Sequence, residues 1–138
     1  MDTTPIVERL SVIARAVHAL QEVRQVPLEE FVQDYFLHSA AERSLQVAIQ
    51  AALDIGNILL SRSSTEVPKE YAEIFPAMAS NGLLPPDFAA RLSTMAKFRN
   101  VLVHMYAEID LGRLHAYLQT DLDDFSLFCQ YIAAHLEK

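Results

Sequence analysis

Four residues near the end of the chain's third quarter have the types and spacing for proton and phosphate chemistry: Arg99, Asn100, His104 and Tyr106. A neutral imidazole takes up and returns a proton near pH 7. A permanently charged guanidinium holds a phosphate through paired hydrogen bonds and stabilises charge developing on it. An amide beside them orients either one. This set suits attack of an RNA 2′-hydroxyl on the adjoining phosphate, a reaction that needs neither metal nor cofactor. His104 would move the proton, Arg99 would steady the pentavalent phosphorus, and Asn100 would support them.

Spacing alone is weak support. Arg and His five positions apart is expected by chance about 0.3 times per chain of this composition, and an exposed Arg, Asn and His on one helix ordinarily form a solvated face. Requiring Asn directly after Arg and Tyr two after His lowers the chance expectation below about one in a thousand.

These residues need helices to hold them. Apolar residues recur every three or four positions in five segments, 5–24, 28–60, 69–80, 86–106 and 111–136, and strand-like alternation is absent. Pro27, residues 61–68, Asn81-Gly82, Pro85-Pro86 and the neighbourhood of Asp110 punctuate them. The second segment reads as one central helix with a continuous buried stripe from Phe31 through Tyr35 and His38 to Leu59, apolar nearly all round between residues 45 and 53. Pro76 interrupts the third, Asn81-Gly82 stops it, and Asp110 caps the fifth. The expectation is a single all-α domain over residues 1–138, an antiparallel bundle of four long helices and one short one.

On a helical wheel of the fourth segment, Met95, Phe98, Val101, Leu102 and Met105 form the core face, and Arg99, Asn100 and His104 lie on the opposite arc. Asn100 and His104 are i, i+4 neighbours. Arg99 is about 140° from His104, so it must reach round or meet it through a partner surface. Tyr106 falls nearly in line with Arg99.

Bulk properties narrow the function classes. The formal net charge of −7 disfavours nonspecific binding to a polyanion. An RNA-acting chain must therefore gather its cations locally, and Arg91, Lys97 and Arg99 share a helix whose only acid before the motif ends is Asp87. Arg43 is a candidate to join them from the second helix, if the bundle packs that helix alongside the fourth. The single cysteine, Cys129, excludes an intramolecular disulfide and reads as an inert, buried thiol. The N-terminus lacks signal-peptide order, and charges break every apolar run, so a cytoplasmic protein with no membrane association is expected. His18, His38, His115 and His135 show no metal-ligand spacing. Tyr35, Tyr71, Tyr117 and Tyr131 read as core or rim aromatics. Glu42 and Asp54 are candidates to orient Arg43 or Arg99, with a structural role preferred. Asp121, Asp123 and Asp124 read as a solvated acidic face. A phosphate-cradling glycine loop is absent.

The pattern Arg-Asn-x-x-x-His-x-Tyr resembles the signature of HEPN proteins, specifically the HepT-like toxin branch. Residues 41–55 look like that branch's long second helix and residues 68–75 like its third. Phe98 before the motif and Ile109-Asp110 after it also match. The resemblance covers most of the chain from residue 28 onward, and the first helix is its least diagnostic part. It implies a homodimeric helical bundle with sites near the subunit interface, and metal-independent endoribonuclease activity with Arg99 and His104 as the catalytic pair. It further implies a toxin of the type VII kind, paired with an MntA-like nucleotidyltransferase antitoxin that modifies the motif tyrosine, here Tyr106, with AMP. The alternative implied by similar proteins is a non-catalytic, substrate-binding companion of a minimal nucleotidyltransferase.

Overall fold

The computed structural model describes residues 2–63, 66–103 and 110–138. Among these residues the chain forms seven helices and no strand. They are α1 (Thr4–Arg24), α2 (Leu28–Gln33), α3 (Tyr35–Arg62), α4 (Tyr71–Ser80), α5 (Pro86–Val103), α6 (Leu111–Thr120) and α7 (Asp123–Leu136). The all-helical reading holds, and two of the five expected segments are each divided into two helices.

The first division falls at Asp34, where the backbone turns extended (φ −100, ψ 94) and the side chain accepts a hydrogen bond from the Leu37 amide at 3.0 Å. An aspartate in that role satisfies an amide at the start of a helix, so α3 begins there despite the unbroken apolar period. Tyr35, expected in the buried stripe, is consequently 70% exposed beside the still more exposed Phe36. The second division falls at Asp121. Thr120, Asp121, Asp123 and Asp124 are poor helix-interior residues, and the last two supply negative charge to the first turn of α7. Two of these acids are ion-paired, although Asp123 stays solvent-exposed as expected. Asp124 receives two hydrogen bonds from Arg91, at 2.8 and 3.3 Å, and Asp123 pairs with Arg24 at 3.2 Å, tying α7 to α5 and α1.

The core is centred on α3, which packs against α1, α4, α5 and α7. By length and composition α3 alone passes for a membrane span among the described residues, although Asp54 interrupts its apolar stretch as expected. Its apolar residues from Leu45 to Leu60 are instead covered by the surrounding helices. Phe31, Phe75, Phe125 and Phe128 fill the interior, with Phe75 and Phe128 edge-to-face at 5.9 Å. Cys129 is half-buried, and burial pushes its thiol up to about 11, which keeps it protonated near neutrality.

The short α4 carries a residue that matters for the site, Tyr71, and three local devices hold it in place. Gly56 of α3 lets α4 approach closely: a Cβ there would stand 2.6 Å from Ile74 Cγ2 and 3.0 Å from Met78 Sδ. The helix ends in a Schellman motif, with Leu83 N donating to Met78 O and Gly82 N to Ala79 O, and Gly82 at φ 76. Pro76, expected to interrupt the helix, does not. It lacks the N–H that would donate to the Ala72 carbonyl, and the Ser93 hydroxyl of α5 donates to that carbonyl instead, at 2.8 Å. Ser93→Ala leaves this acceptor without its partner and is expected to lower unfolding free energy by about 1–3 kcal/mol. Chemical denaturation measures it, and an unchanged midpoint would show that water replaces the serine at no cost.

Candidate active site

Arg99 sits in the last turn of α5, and its surroundings differ from those expected of an exposed arc. Leu92, Met95 and Ala96 are buried. At about 100° per residue, Arg99 lies within roughly 60° of both Met95 and Ala96, so it continues the core-facing stripe. Val101, expected on the core face, is 45% exposed. The buried arc is set by what α5 packs against, α3 and α4, and this arc includes the arginine while leaving out the valine.

A guanidinium half-withdrawn from water must find acceptors or π-density. Nη2 of Arg99 donates to Gln50 Oε1 at 2.7 Å, across to α3. Its plane lies over the Tyr71 ring, 4.7 Å from the centroid. Nη1 makes a longer contact, 3.4 Å, to Oδ1 of Asn100. Gln50 is itself oriented, because its Nε2 donates to Asp54 Oδ1 at 2.9 Å. The other oxygen of Asp54 lies 3.6 Å from Arg9 Nε on α1. A polar line thus runs from Arg9 through Asp54 and Gln50 to Arg99, joining three helices.

The identity of Arg99's acceptor has a chemical consequence. A carboxylate would neutralise the guanidinium, whereas an amide holds it and leaves its full charge for a ligand. Arg99 Nε is buried and has no hydrogen-bond partner among the described residues. Tyr71 fixes the plane of the group without consuming an N–H.

The other residues singled out in the sequence are distributed as follows. Arg43 is exposed on α3 and lines one cleft with Arg99. Lys97 is exposed on α5, one turn from Val101. Arg91 is engaged with Asp124 and lies over the Phe88 ring at 5.1 Å, away from Arg99's contacts. Glu42 approaches His38 at 3.9 Å, and burial raises its carboxyl above the usual range. Asp54 acts on Arg99 at one remove, through Gln50. His104 and Tyr106 lie outside the described residues, as does the expected Asn100–His104 contact. His115 is taken up by the fold: its Nε2 is 2.8 Å from Val26 O, and its ring packs against Phe31 at 5.3 Å. Tyr117 stacks on Phe98 at 4.9 Å, and burial pushes its hydroxyl well up.

Sequence reasoning passed over Gln50 and Arg9, and read Tyr71 only as a core or rim aromatic. The signal for the first was present: Gln46, Gln50 and Asp54 follow at four-residue intervals through a helix otherwise apolar nearly all round. Tyr71 and Arg9 carried no such mark, because their roles depend on helix–helix contacts.

This architecture has close counterparts. A family model described as ribonuclease HepT-like matches residues 13–132. The chain is 28% identical over 129 residues to the mRNA nuclease HepT of Shewanella oneidensis, covering 94% of this chain and 96% of that protein. It is 27% identical over 128 residues to the tRNA nuclease HepT of Aphanizomenon flos-aquae, covering 93% and 87% respectively. Among solved structures, a tri-AMPylated Shewanella oneidensis HEPN toxin in complex with an MNT antitoxin superposes with a TM-score of 0.87 at 28% identity, over 97% of this chain and 99% of that one. The cytosolic protein YutE of Bacillus subtilis shares the fold, with a TM-score of 0.86 at 20% identity over 99% of this chain and 92% of that one. With its all-helical bundle and its Arg-Asn-x-x-x-His-x-Tyr motif, the chain belongs to the ribonuclease HepT-like family of HEPN toxins.

Proposed function

We propose that this chain works as a single-domain endoribonuclease toxin in which Arg99 binds the scissile phosphate and His104 handles the proton. The observation that carries this reading is the setting of Arg99: a charged guanidinium fixed by a neutral amide and an aromatic face, lining a cleft. His104 removes the 2′-hydroxyl proton, the 2′-oxygen attacks phosphorus, and the bond to the 5′-oxygen breaks. The same imidazole then returns the proton to that leaving oxygen. Arg99 stabilises the negative charge on the phosphorane oxygens, and Asn100 supports the pair. Every proton and electron pair is accounted for by the RNA and these side chains, so the proposed step needs no metal or cofactor.

Regulation follows from the same segment. The relative solved with an MNT antitoxin, itself tri-AMPylated, supports pairing of this chain with an MntA-like nucleotidyltransferase antitoxin. Tyr106 is the proposed acceptor of AMP. An adenylate two residues from His104 adds bulk and negative charge where an RNA phosphate would approach. Arg43 and Lys97, both exposed, are proposed to contribute to RNA binding. Arg91 stands as a weaker candidate, since a phosphate must compete with Asp124 for it. A cytoplasmic homodimer is the proposed working form.

The purified chain is expected to cleave RNA in the presence of EDTA, leaving a 2′,3′-cyclic phosphate and a 5′-hydroxyl. His104→Ala and Arg99→Ala should each lower kcat/KM by about 10²- to 10⁴-fold. Cleavage by His104→Ala at the wild-type rate would remove the histidine from the mechanism. Gln50→Ala tests the support of Arg99: kcat should fall roughly 10- to 100-fold with the fold intact. An unchanged kcat would show that Arg99 holds its position without the amide. Co-expression with the nucleotidyltransferase should add mass in adenylate-sized steps, a gain lost in Tyr106→Phe. If modification persists in Tyr106→Phe, the acceptor lies elsewhere.

A further inference from the structure

The polar line that ends at Arg99 borders a cleft of about 420 Å³ between α1 and α3, in the range of ligand-sized pockets. Its cations are Arg9, Arg43 and Arg99, its acids Glu8 and Asp54, and its apolar lining includes Val12 and Val47. Three arginines converge here in a chain whose formal net charge is −7. One of the two acids is answered internally, because Arg9 stands 3.6 Å from Asp54.

Distances along α3 give the cleft a direction. Arg43, Gln50 and Asp54 share one face of the helix and span about 16 Å of its axis at 1.5 Å per residue. Arg99 is anchored at Gln50, and Arg43 projects from α3 about 10 Å further toward the helix N-terminus. Arg43 is exposed and has no hydrogen-bond or ion-pair partner among the described residues. Its charge is therefore available to a ligand lying alongside Arg99's. The lining includes no aromatic ring among the described residues, so the cleft offers cations for a backbone and aliphatic surface for a sugar, without a stacking platform for bases.

We infer that this cleft is a backbone subsite for single-stranded RNA, in which Arg43 holds a phosphate flanking the one at Arg99, while Arg9 neutralises Asp54 so that it does not repel the strand. The inference rests on the proposal that Arg99 engages an RNA phosphate, and extends the footprint onto α1, the helix least diagnostic of the family. Phosphate contacts of this kind position the strand and carry no base preference.

The test is equilibrium binding of the full chain to a labelled 2′-O-methyl oligoribonucleotide of about 12 nucleotides, a length within known single-strand site sizes. The 2′-O-methyl group blocks the attack, so binding is read apart from cleavage. Arg43→Gln should weaken binding roughly tenfold at low salt and reduce the slope of log K against log salt by about 0.7, the value of one single-strand phosphate contact. Arg43→Lys should restore most of the slope, and Arg9→Gln should weaken binding by exposing the Asp54 charge. On unmodified RNA, Arg43→Gln should raise KM more than it lowers kcat. If the wild type cleaves RNA but Arg43→Gln keeps its KM and salt slope, the subsite is overturned and the nuclease assignment stands. If binding depends on Arg43 but no RNA is cut, the subsite stands and the nuclease assignment falls. Arg43-dependent binding of free AMP without Arg43-dependent binding of RNA would also overturn it.

Discussion

The structure depends on one constraint, that a permanent positive charge stands in line with the apolar stripe of α5. Arg99 continues the face formed by Leu92, Met95 and Ala96, where desolvation of an uncompensated charge costs several kcal/mol. The fold meets this cost by lending two neighbours. α3 contributes the Gln50 oxygen at 2.7 Å, and α4 contributes the face of Tyr71. Both are uncharged. The arginine is held firmly and its charge is left over, which is the condition a phosphate-binding group requires.

Much of the remaining architecture serves to keep those two neighbours in place. Gln50 is held through Asp54, and Asp54 through Arg9, so α1 takes part in the geometry at Arg99 through α3. Tyr71 depends on α4 lying close to α3, which Gly56 permits, and on α4 remaining helical through Pro76, which the Ser93 hydroxyl makes affordable. Asp124 and Asp123 fasten α7 to α5 and α1. Each of these contacts is modest in energy. Their shared effect is to limit how far the last turn of α5 can shift relative to α3, and catalytic geometry tolerates little such shift.

The same arrangement reconciles an acidic chain with the polyanionic substrate proposed for it. Two arginines, Arg24 and Arg91, are spent on aspartates of α7, and Arg9 on Asp54. Among the described residues, Arg99 has only neutral partners and Arg43 has none. Net charge therefore says little about what the cleft attracts. The local field is set by which cations are already paired.

The helical class, the turn at Asn81-Gly82, the Asp110 cap and the family motif were legible in the sequence, because each is written in residues adjacent along the chain or one helical turn apart. Asp34 was equally local, but its capping signal was hidden inside an unbroken apolar period. The orientation of Arg99 was not legible. A wheel drawn from α5 alone puts Val101 inside and Arg99 outside, since it weighs each side chain by its own hydrophobicity. In the bundle, α3 and α4 decide which arc is covered, and they cover the arginine because Gln50 and Tyr71 make its burial tolerable. Local periodicity thus determined that there are helices and where most of them end. Which polar groups meet across them, and so which arginine is bound and which is free, was decided only by packing, because those partners lie 49 and 28 residues away from Arg99 in the chain.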